Sequence, residues 1–313
     1  MGEPVVATEG STKAILAALF ANAGIATAKF IGAGITGSSS MLAEAVHSVA
    51  DTTNQALLLL GQKTAKRMAT SQHPFGFGRD RYFWSFIVAL MLFSLGSLFA
   101  LYEGIHKLGD PHPLESAIVA VVILVVAIGL ESYSFNTAIV ESRKVKGDVT
   151  WWQFIRQSKV PELPVVLLED AGALIGLVLA LGGVGMTVLT GDPIWDGIGT
   201  VSIGVLLGII AVILVIEMKS LLIGEGSSPT ELDTITGELE ASEKVQRVIH
   251  IKTQYIGPEE LLVAAKVALE PGLALADVAR TIDLAEARVR EKVPAARLIY
   301  LEPDLDRESA GSP

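Results

Sequence analysis

The sequence contains no cysteine. A disulfide framework and a thiolate metal site are both excluded, so any soft-metal chemistry falls to histidine with aspartate, glutamate or asparagine. Aromatic residues are sparse at 6%, and histidine occurs only five times. Positive charge is also short: 24 lysines and arginines stand against 34 acidic residues, a formal net charge of −10. That balance argues against nucleic acid as a partner. The opening MGEPVVATEG lacks the basic start and small-residue cleavage site of a secretory signal, so the first apolar run reads as a retained span.

What the chain has in excess is apolar surface. Half of its 313 residues are hydrophobic, and the mean hydropathy is +0.51, which places it among polytopic membrane proteins rather than soluble domains. Six apolar runs, 12–33, 39–62, 83–107, 114–139, 163–188 and 194–222, approach or exceed the ~20 residues a bilayer helix needs. Their connections are unequal. Lys63, Lys66, Arg67, Arg79 and Arg81 follow the second run, and Arg143, Lys144, Lys146, Arg156 and Lys159 follow the fourth. The first connection has no basic residue, the third offers Lys107, and the fifth, TGDPIWDG, carries only acids. Positive residues mark the cytoplasmic side, so both chain ends are expected inside.

Beyond Lys219 the character changes to that of a soluble domain. PTELDTITGELEAS reads as a helix, VQRVIHIKTQYI and ELLVAAKVAL as strands around GPEE, 275–291 as an amphipathic helix, and ARLIYLEP as a last strand. This order predicts a small cytoplasmic α+β domain over 223–303, with disordered ends at 1–11 and 304–313. The membrane domain occupies 12–222.

Within the second run, LAEAVHSVAD sets Glu44, His47 and Asp51 along one helical face, and Asn54 extends the stripe. From a start at Ser39, the rise of ~1.5 Å per residue puts His47 ~12 Å and Asp51 ~18 Å along, near the middle of a ~30 Å core. Each ionisable group at that depth costs at least ~2.5–3.5 kcal/mol on insertion scales, so each demands a partner or a water-filled cavity. The fifth run repeats the anomaly with Glu169 and Asp170 in PVVLLEDAGALIGL. Counted from Leu163, Asp170 lies ~11 Å deep, level with His47 and Asp51 approached from the other side. Adjacent residues point ~100° apart on a helix, so Glu169 and Asp170 cannot both aim squarely at one centre.

One imidazole with two or three carboxylates is the ligand set of Zn²⁺, with Mn²⁺, Fe²⁺, Co²⁺ and Cd²⁺ as the other candidates. Without a cation, the same groups are neighbouring anions in a low dielectric, which protonation relieves. Metal and protons therefore compete for the same atoms, and that competition is the chemistry of a proton-coupled antiporter. The metal is cargo, and no cofactor is expected. Two other readings use similar residues. A membrane-embedded metallohydrolase is disfavoured by the lack of an HExxH motif, and a non-transporting metal sensor or scaffold would bind the ion without moving it.

SSSMLAEAVHSVADTTNQALLLLG, with His-x-x-x-Asp at His47 and Asp51, resembles the second span of the cation diffusion facilitator (cation efflux) family. HPFGFGRDRYFW at 73–84 resembles the loop entering that family's third span, and DPIWDGIGTVSIGVLLG with LLIGEG resembles its sixth span and exit. The likeness runs from about Lys13 to Pro303. It implies six transmembrane helices, a homodimer, a ferredoxin-like cytoplasmic domain, and efflux of divalent metal, usually zinc, against protons. LLEDAGALIG resembles the branch that includes the mitochondrial zinc exporters of animals. An integral, multi-pass protein of the bacterial inner membrane is expected.

Many members of the family carry a His or Asp four residues before the fifth-span Asp; here that place is Val166. Asp170 ranks ahead of Glu169 as the fifth-span ligand, and Glu169, Glu44, Asn54 or water is left to complete the shell. His250 stands alone in its strand, so a regulatory metal site there is not favoured. His73 and His112 are loop residues without a cluster. Glu131 is either a hydrogen-bonding group or part of a proton path, Lys29 is expected to snorkel outward, and the Gly24–Gly32 spacing suggests close helix packing.

Overall fold

The structure, a computed structural model, describes residues 7–306, with side chains from residue 22 onward. The expected disordered ends fall mostly outside these residues. The chain divides into two units, one holding the helices up to Lys63 and from Phe83 to Met218, the other holding Thr64–Tyr82 and the chain from Lys219.

The first unit is helical throughout. It comprises α1 (Ala7–Thr36), α2 (Ser39–Ala65), α3 (Asp80–Met91), a π-helical stretch Leu92–Leu98, α4 (Phe99–Gly109), α5 (Ala117–Lys146), α6 (Trp151–Gln157), α7 (Glu162–Thr190) and α8 (Ile194–Ile223). The α3, π and α4 segments run on as one rod, Asp80–Gly109. Each apolar run of the sequence thus becomes one helix, and α1 starts five residues earlier than the expected 12. Among the described residues, four segments are long and apolar enough to cross a membrane: Asp80–Gly109, Ala117–Lys146, Glu162–Thr190 and Ile194–Ile223. Helix α2 is excluded from that set by its own polar stripe, because Glu44, His47, Ser48, Asp51 and Asn54 are all buried along it. Large apolar side chains face outward instead, as at Ile118, Val122, Val126 and Tyr133 of α5. This inside-out distribution suits hydrocarbon, where polar groups must be satisfied within the protein.

Helix α6 has no counterpart among the sequence expectations. It is started by a capping box in which Thr150 Oγ1 accepts from Gln153 N at 3.2 Å and Gln153 Oε1 accepts from Thr150 N at 3.0 Å. Of the glycines proposed for close packing, Gly32 fits: a Cβ there would lie 2.5 Å from Met41 Cε and 2.6 Å from Ile123 Cδ1, whereas a Cβ on Gly24 would meet nothing within 4 Å among the described residues.

The short turn between α1 and α2 is fastened by one carboxylate. Fully buried Asp196, in the first turn of α8, accepts from Ser38 Oγ at 2.8 Å, from Ser39 N at 2.8 Å, from Ser40 N at 3.4 Å, and from Ser40 Oγ. It thereby caps the free N–H groups at the start of α2, where the helix dipole also favours an anion. Ser39 Oγ donates to Glu103 at 2.9 Å, and Lys107 Nζ donates to Gly37 O at 3.1 Å, tying the α4 end to the same turn.

The second unit has the order α9 (Pro229–Glu240), β1 (Val245–Gly257), β2 (Glu260–Leu269), α10 (Leu275–Lys292) and β3 (Leu298–Asp304). The sheet order is β1-β2-β3; β1 and β2 pair antiparallel, and β2 and β3 pair parallel with α10 as the crossover. Ser228 and Glu231 form a second capping box at the start of α9, with Pro229 in the first turn. Ile235 and Leu239 of α9 and Ala285 and Val289 of α10 cover Leu261, Val263 and Ile299 of the sheet in one core. The Tyr255 hydroxyl donates to Glu231 at 2.8 Å; burial, then the Glu231 carboxylate, raises the phenol pKa and so keeps that donor proton in place. The described chain continues past the expected boundary at 303, because Arg247 grips Asp306 through two hydrogen bonds of 3.0 and 2.9 Å. The histidine of the sheet, His250, is exposed on β1 and registered opposite Lys266, whose ammonium bonds Glu302 and Asp304 at 3.0 and 3.1 Å.

Replacing Asp196 with alanine removes the acceptor of the Ser39 and Ser40 backbone donors and of the serine hydroxyls, at a cost of about 3 kcal/mol. A clearly lowered unfolding temperature in detergent is expected for Asp196→Ala; an unchanged one would show that the cap contributes little.

Candidate metal centre

The centre is built where α2 faces α7. His47 and Asp51 are one helical turn apart on α2, both buried, with Nε2 and Oδ2 3.6 Å apart. That is too long for a hydrogen bond, and neither imidazole nitrogen has a hydrogen-bond partner among the described residues. Asp51 Oδ1 and Asn54 Oδ1 are likewise buried and unpartnered. One imidazole nitrogen and two oxygens, each with a lone pair and no donor in an apolar interior, are what a cation would satisfy, since a buried polar atom left unpaired costs on the order of 1–3 kcal/mol.

From α7, Glu169 reaches this group. Its Oε1 accepts from Asn54 Nδ2 at 2.7 Å, and its carboxyl lies near enough to that of Asp51 for the two groups to interact electrostatically. Two carboxyl groups held face to face require a proton or a cation between them, because two bare anions at that range repel. Asp170 points ~100° away around α7 and accepts from Ser134 Oγ of α5 at 2.9 Å. The structure therefore brings together His47, Asp51, Asn54 and Glu169, and holds Asp170 apart from them, on Ser134. Among the described residues no three His, Asp or Glu side chains already converge at metal-binding distances.

The π-helical stretch forms another wall. Gly96 adjoins the imidazole: a Cβ there would stand in ordinary contact, 3.8 Å from His47 Nδ1, and closest to Leu207 Cδ1 at 3.2 Å. Ser97 Oγ donates to Gly204 O of α8 at 2.8 Å, anchoring the stretch. π-Helical turns interrupt regular helices most often beside functional groups. Glu131 of α5 borders a small cavity with Asn22, Ile25, Ser48 and Asp51.

Glu44 serves as an interhelical partner, and the residue it meets, Lys29, departs from expectation. Lys29 does not snorkel: it is fully buried, and its Nζ lies 3.2 Å from Glu44 Oε2 and 2.8 Å from Ser48 Oγ. The neighbouring helix supplies a carboxylate and a hydroxyl within hydrogen-bond reach, which removes the reason to extend outward. A lysine in one apolar run and a glutamate in the next was the available sequence signal for this pair. Of the loop histidines, His73 stacks on Phe77 with ring centroids 4.7 Å apart, and His112 sits 3.4 Å from Asp110 in an exposed turn.

Known proteins share this arrangement of sequence. The profile of the cation efflux transmembrane domain matches residues 15–223. The mitochondrial proton-coupled zinc antiporter SLC30A9 of Xenopus laevis is 38% identical over 235 residues, covering 74% of this chain and 42% of that protein. Metal tolerance protein C4 of Arabidopsis thaliana is 31% identical over 260 residues, 82% of this chain and 57% of that one. The chain thus spans about half the length of these relatives. A solved structure of the MamM CTD aligns with 24% of this chain and 95% of its own length, at 16% identity and a TM-score of 0.23. With the profile running from α1 through the last residue of α8 and enclosing every residue of the buried centre, the chain belongs to the cation efflux family.

Proposed function

We propose that this protein is a proton-coupled antiporter that carries divalent cations, Zn²⁺ foremost, out of the cytoplasm. The observation that carries this reading is the buried, donor-less His47 beside Asp51, faced from α7 by Glu169. In this reading His47, Asp51 and Glu169 take the ion, and Asp170 leaves Ser134 to complete the shell. Zn²⁺ suits one imidazole with carboxylates and needs no thiolate. When the ion departs, the facing carboxyl groups accept protons instead, so that each loading step releases protons and each unloading step takes them up. The names of the antiporter and metal tolerance relatives agree with this cargo.

The same reading treats α1 and α2 as spans alongside the four apolar segments. At ~1.5 Å per residue, their 30 and 27 residues exceed a ~30 Å core, and the polar stripe of α2 is turned inward. Both ends then lie in the cytoplasm, as the basic connections after α2 and α5 require. A homodimer in a bacterial inner membrane, with the sheet unit as a ferredoxin-like cytoplasmic domain, completes the proposal.

In vesicles with an imposed zinc gradient, His47→Ala and Asp51→Ala should each lower zinc-driven proton flux to background; ordinary flux in both would remove the centre from the path. Binding without flux in the parent protein would instead favour the sensor reading. Ser134→Ala separates the roles of the two α7 acids. It frees Asp170 from a hydrogen bond of about 1 kcal/mol, so zinc should bind roughly fivefold tighter if Asp170 joins the shell. An unchanged dissociation constant, read by calorimetry, would leave Glu169 as the α7 ligand. Because protons and metal compete for the same atoms, the zinc Kd should rise steadily as pH falls from about 8 to 6. A flat Kd would contradict the coupling.

A further inference from the structure

Lys29 and Glu44 form an ion pair from which water is wholly excluded, in a unit whose cargo is a cation. Such a pair is expensive to bury, and losing one partner costs about 3–5 kcal/mol, so it persists only where its geometry is complete. Here the geometry is prepared by three helices. Lys29 comes from α1, Glu44 and Ser48 from α2, and Gly176 of α7 clears the space: a Cβ there would stand 2.6 Å from Glu44 Oε1. Glu44 Oε1 itself is buried and has no hydrogen-bond partner among the described residues. The pair therefore uses only half of the carboxylate.

Its position along the helices gives it a task. Glu44 precedes Asp51 by seven residues on α2, and Gly176 follows Glu169 by seven on α7. Both separations correspond to ~10 Å at the helical rise, toward the same end of the bundle. Lys29 is seven residues short of the end of α1, again on that side. The pair lies between the centre and the end where α1 meets α2 and where α7 finishes, which is the outer end under the orientation proposed above. Glu169, Ala173 and Gly176 share one stripe of α7 at i, i+4 and i+7, so Ala173 lies between the centre and the pair.

We propose that the Lys29–Glu44 pair is the gate on the exit side of the metal path, and that a departing dication opens it by taking the place of the ammonium at Glu44. With the pair closed, a fixed positive charge and three packed helices stand in the way of the ion. Displacing the ammonium exposes a carboxylate with a free oxygen and the Ser48 hydroxyl next to it, an oxygen-donor station that suits a divalent cation in transit. The inference rests on the antiporter reading for its direction, and on geometry alone for the closure.

The absence of native cysteine makes the test direct. Ala173→Cys, buried in the parent structure at 2% exposure, is placed in the full chain in vesicles and treated with a membrane-impermeant thiol reagent at the face bearing Ser39 and Thr190. Labelling should be slow in this background and at least about tenfold faster when Lys29→Met and Glu44→Gln are added, since the closed population loses its lock. The charge swap Lys29→Glu with Glu44→Lys should restore slow labelling. Equal labelling with and without the pair overturns the gate; if the neutral variant does not fold, the swap decides, with fast labelling counting against the gate. Calorimetric titration with Zn²⁺ tests the exchange. Lys29→Met alone should bind one additional equivalent that disappears in the Lys29→Met, Glu44→Gln variant, and no additional equivalent overturns the station at Glu44. Parent vesicles that move no zinc would sink the antiporter reading while leaving the labelling result to judge the closure.

Discussion

A charged or hydrogen-bonding side chain inside a hydrocarbon layer has no water to fall back on, and its partner has to come from another helix. This constraint organises the helical unit. Helix α2 carries five buried polar groups on one stripe, and its neighbours each answer part of it: Lys29 from α1 meets Glu44 and Ser48, and Glu169 from α7 meets Asn54 and Asp51. Asp196 from α8 closes the end of the helix by accepting from its first backbone donors. Helix α2 is held by polar contacts at three heights, whereas α5 and α8 present mainly apolar surface to the outside.

The partners are not equally complete, and the incompleteness is informative. At the Asp196 knot every carboxylate contact is supplied by a serine hydroxyl or a backbone N–H, as expected of a structural cap. At the Lys29–Glu44 level one oxygen is satisfied and one is open. At the His47–Asp51 level both imidazole nitrogens and one carboxylate oxygen are unmatched. A native interior leaves few such groups, and those it leaves mark places where a ligand supplies the missing partner. Along α2 the partnering thus runs from closed at the Asp196 cap, through half-open at Glu44, to open at His47 and Asp51.

The second unit obeys ordinary soluble chemistry. A capping box starts α9, alternation buries one face of β2, and a parallel crossover through α10 brings β3 to the sheet. Its surface charges pair among themselves, with Lys266 between Glu302 and Asp304 opposite His250. A cation opposes the histidine on this sheet directly, whereas the imidazole of His47 has no hydrogen-bond partner among the described residues.

Much of this was legible in the residues. Hydrophobic run length marked out each long helix because a bilayer imposes its thickness on any chain that crosses it, and the strands followed from alternation and turn residues. His47 and Asp51 stood out because ionisable groups are costly at that depth, and the i, i+4 spacing alone places them on one face. Two things depended on tertiary contacts. Helical periodicity says that Glu169 and Asp170 diverge, but only the packing of α5 and α2 against α7 decides that Ser134 holds one and Asn54 the other. Lys29 looked free to reach the surface until the rotation of α1 placed Glu44 beside it. The short helix α6, by contrast, is a local element, started by the Thr150–Gln153 capping box and carrying Trp151, Phe154 and Ile155 on one face. Sequence determines which groups must find partners in the apolar interior; which partner each one finds depends on how the helices rotate against one another, and that is settled by side-chain packing across interfaces distant in the chain.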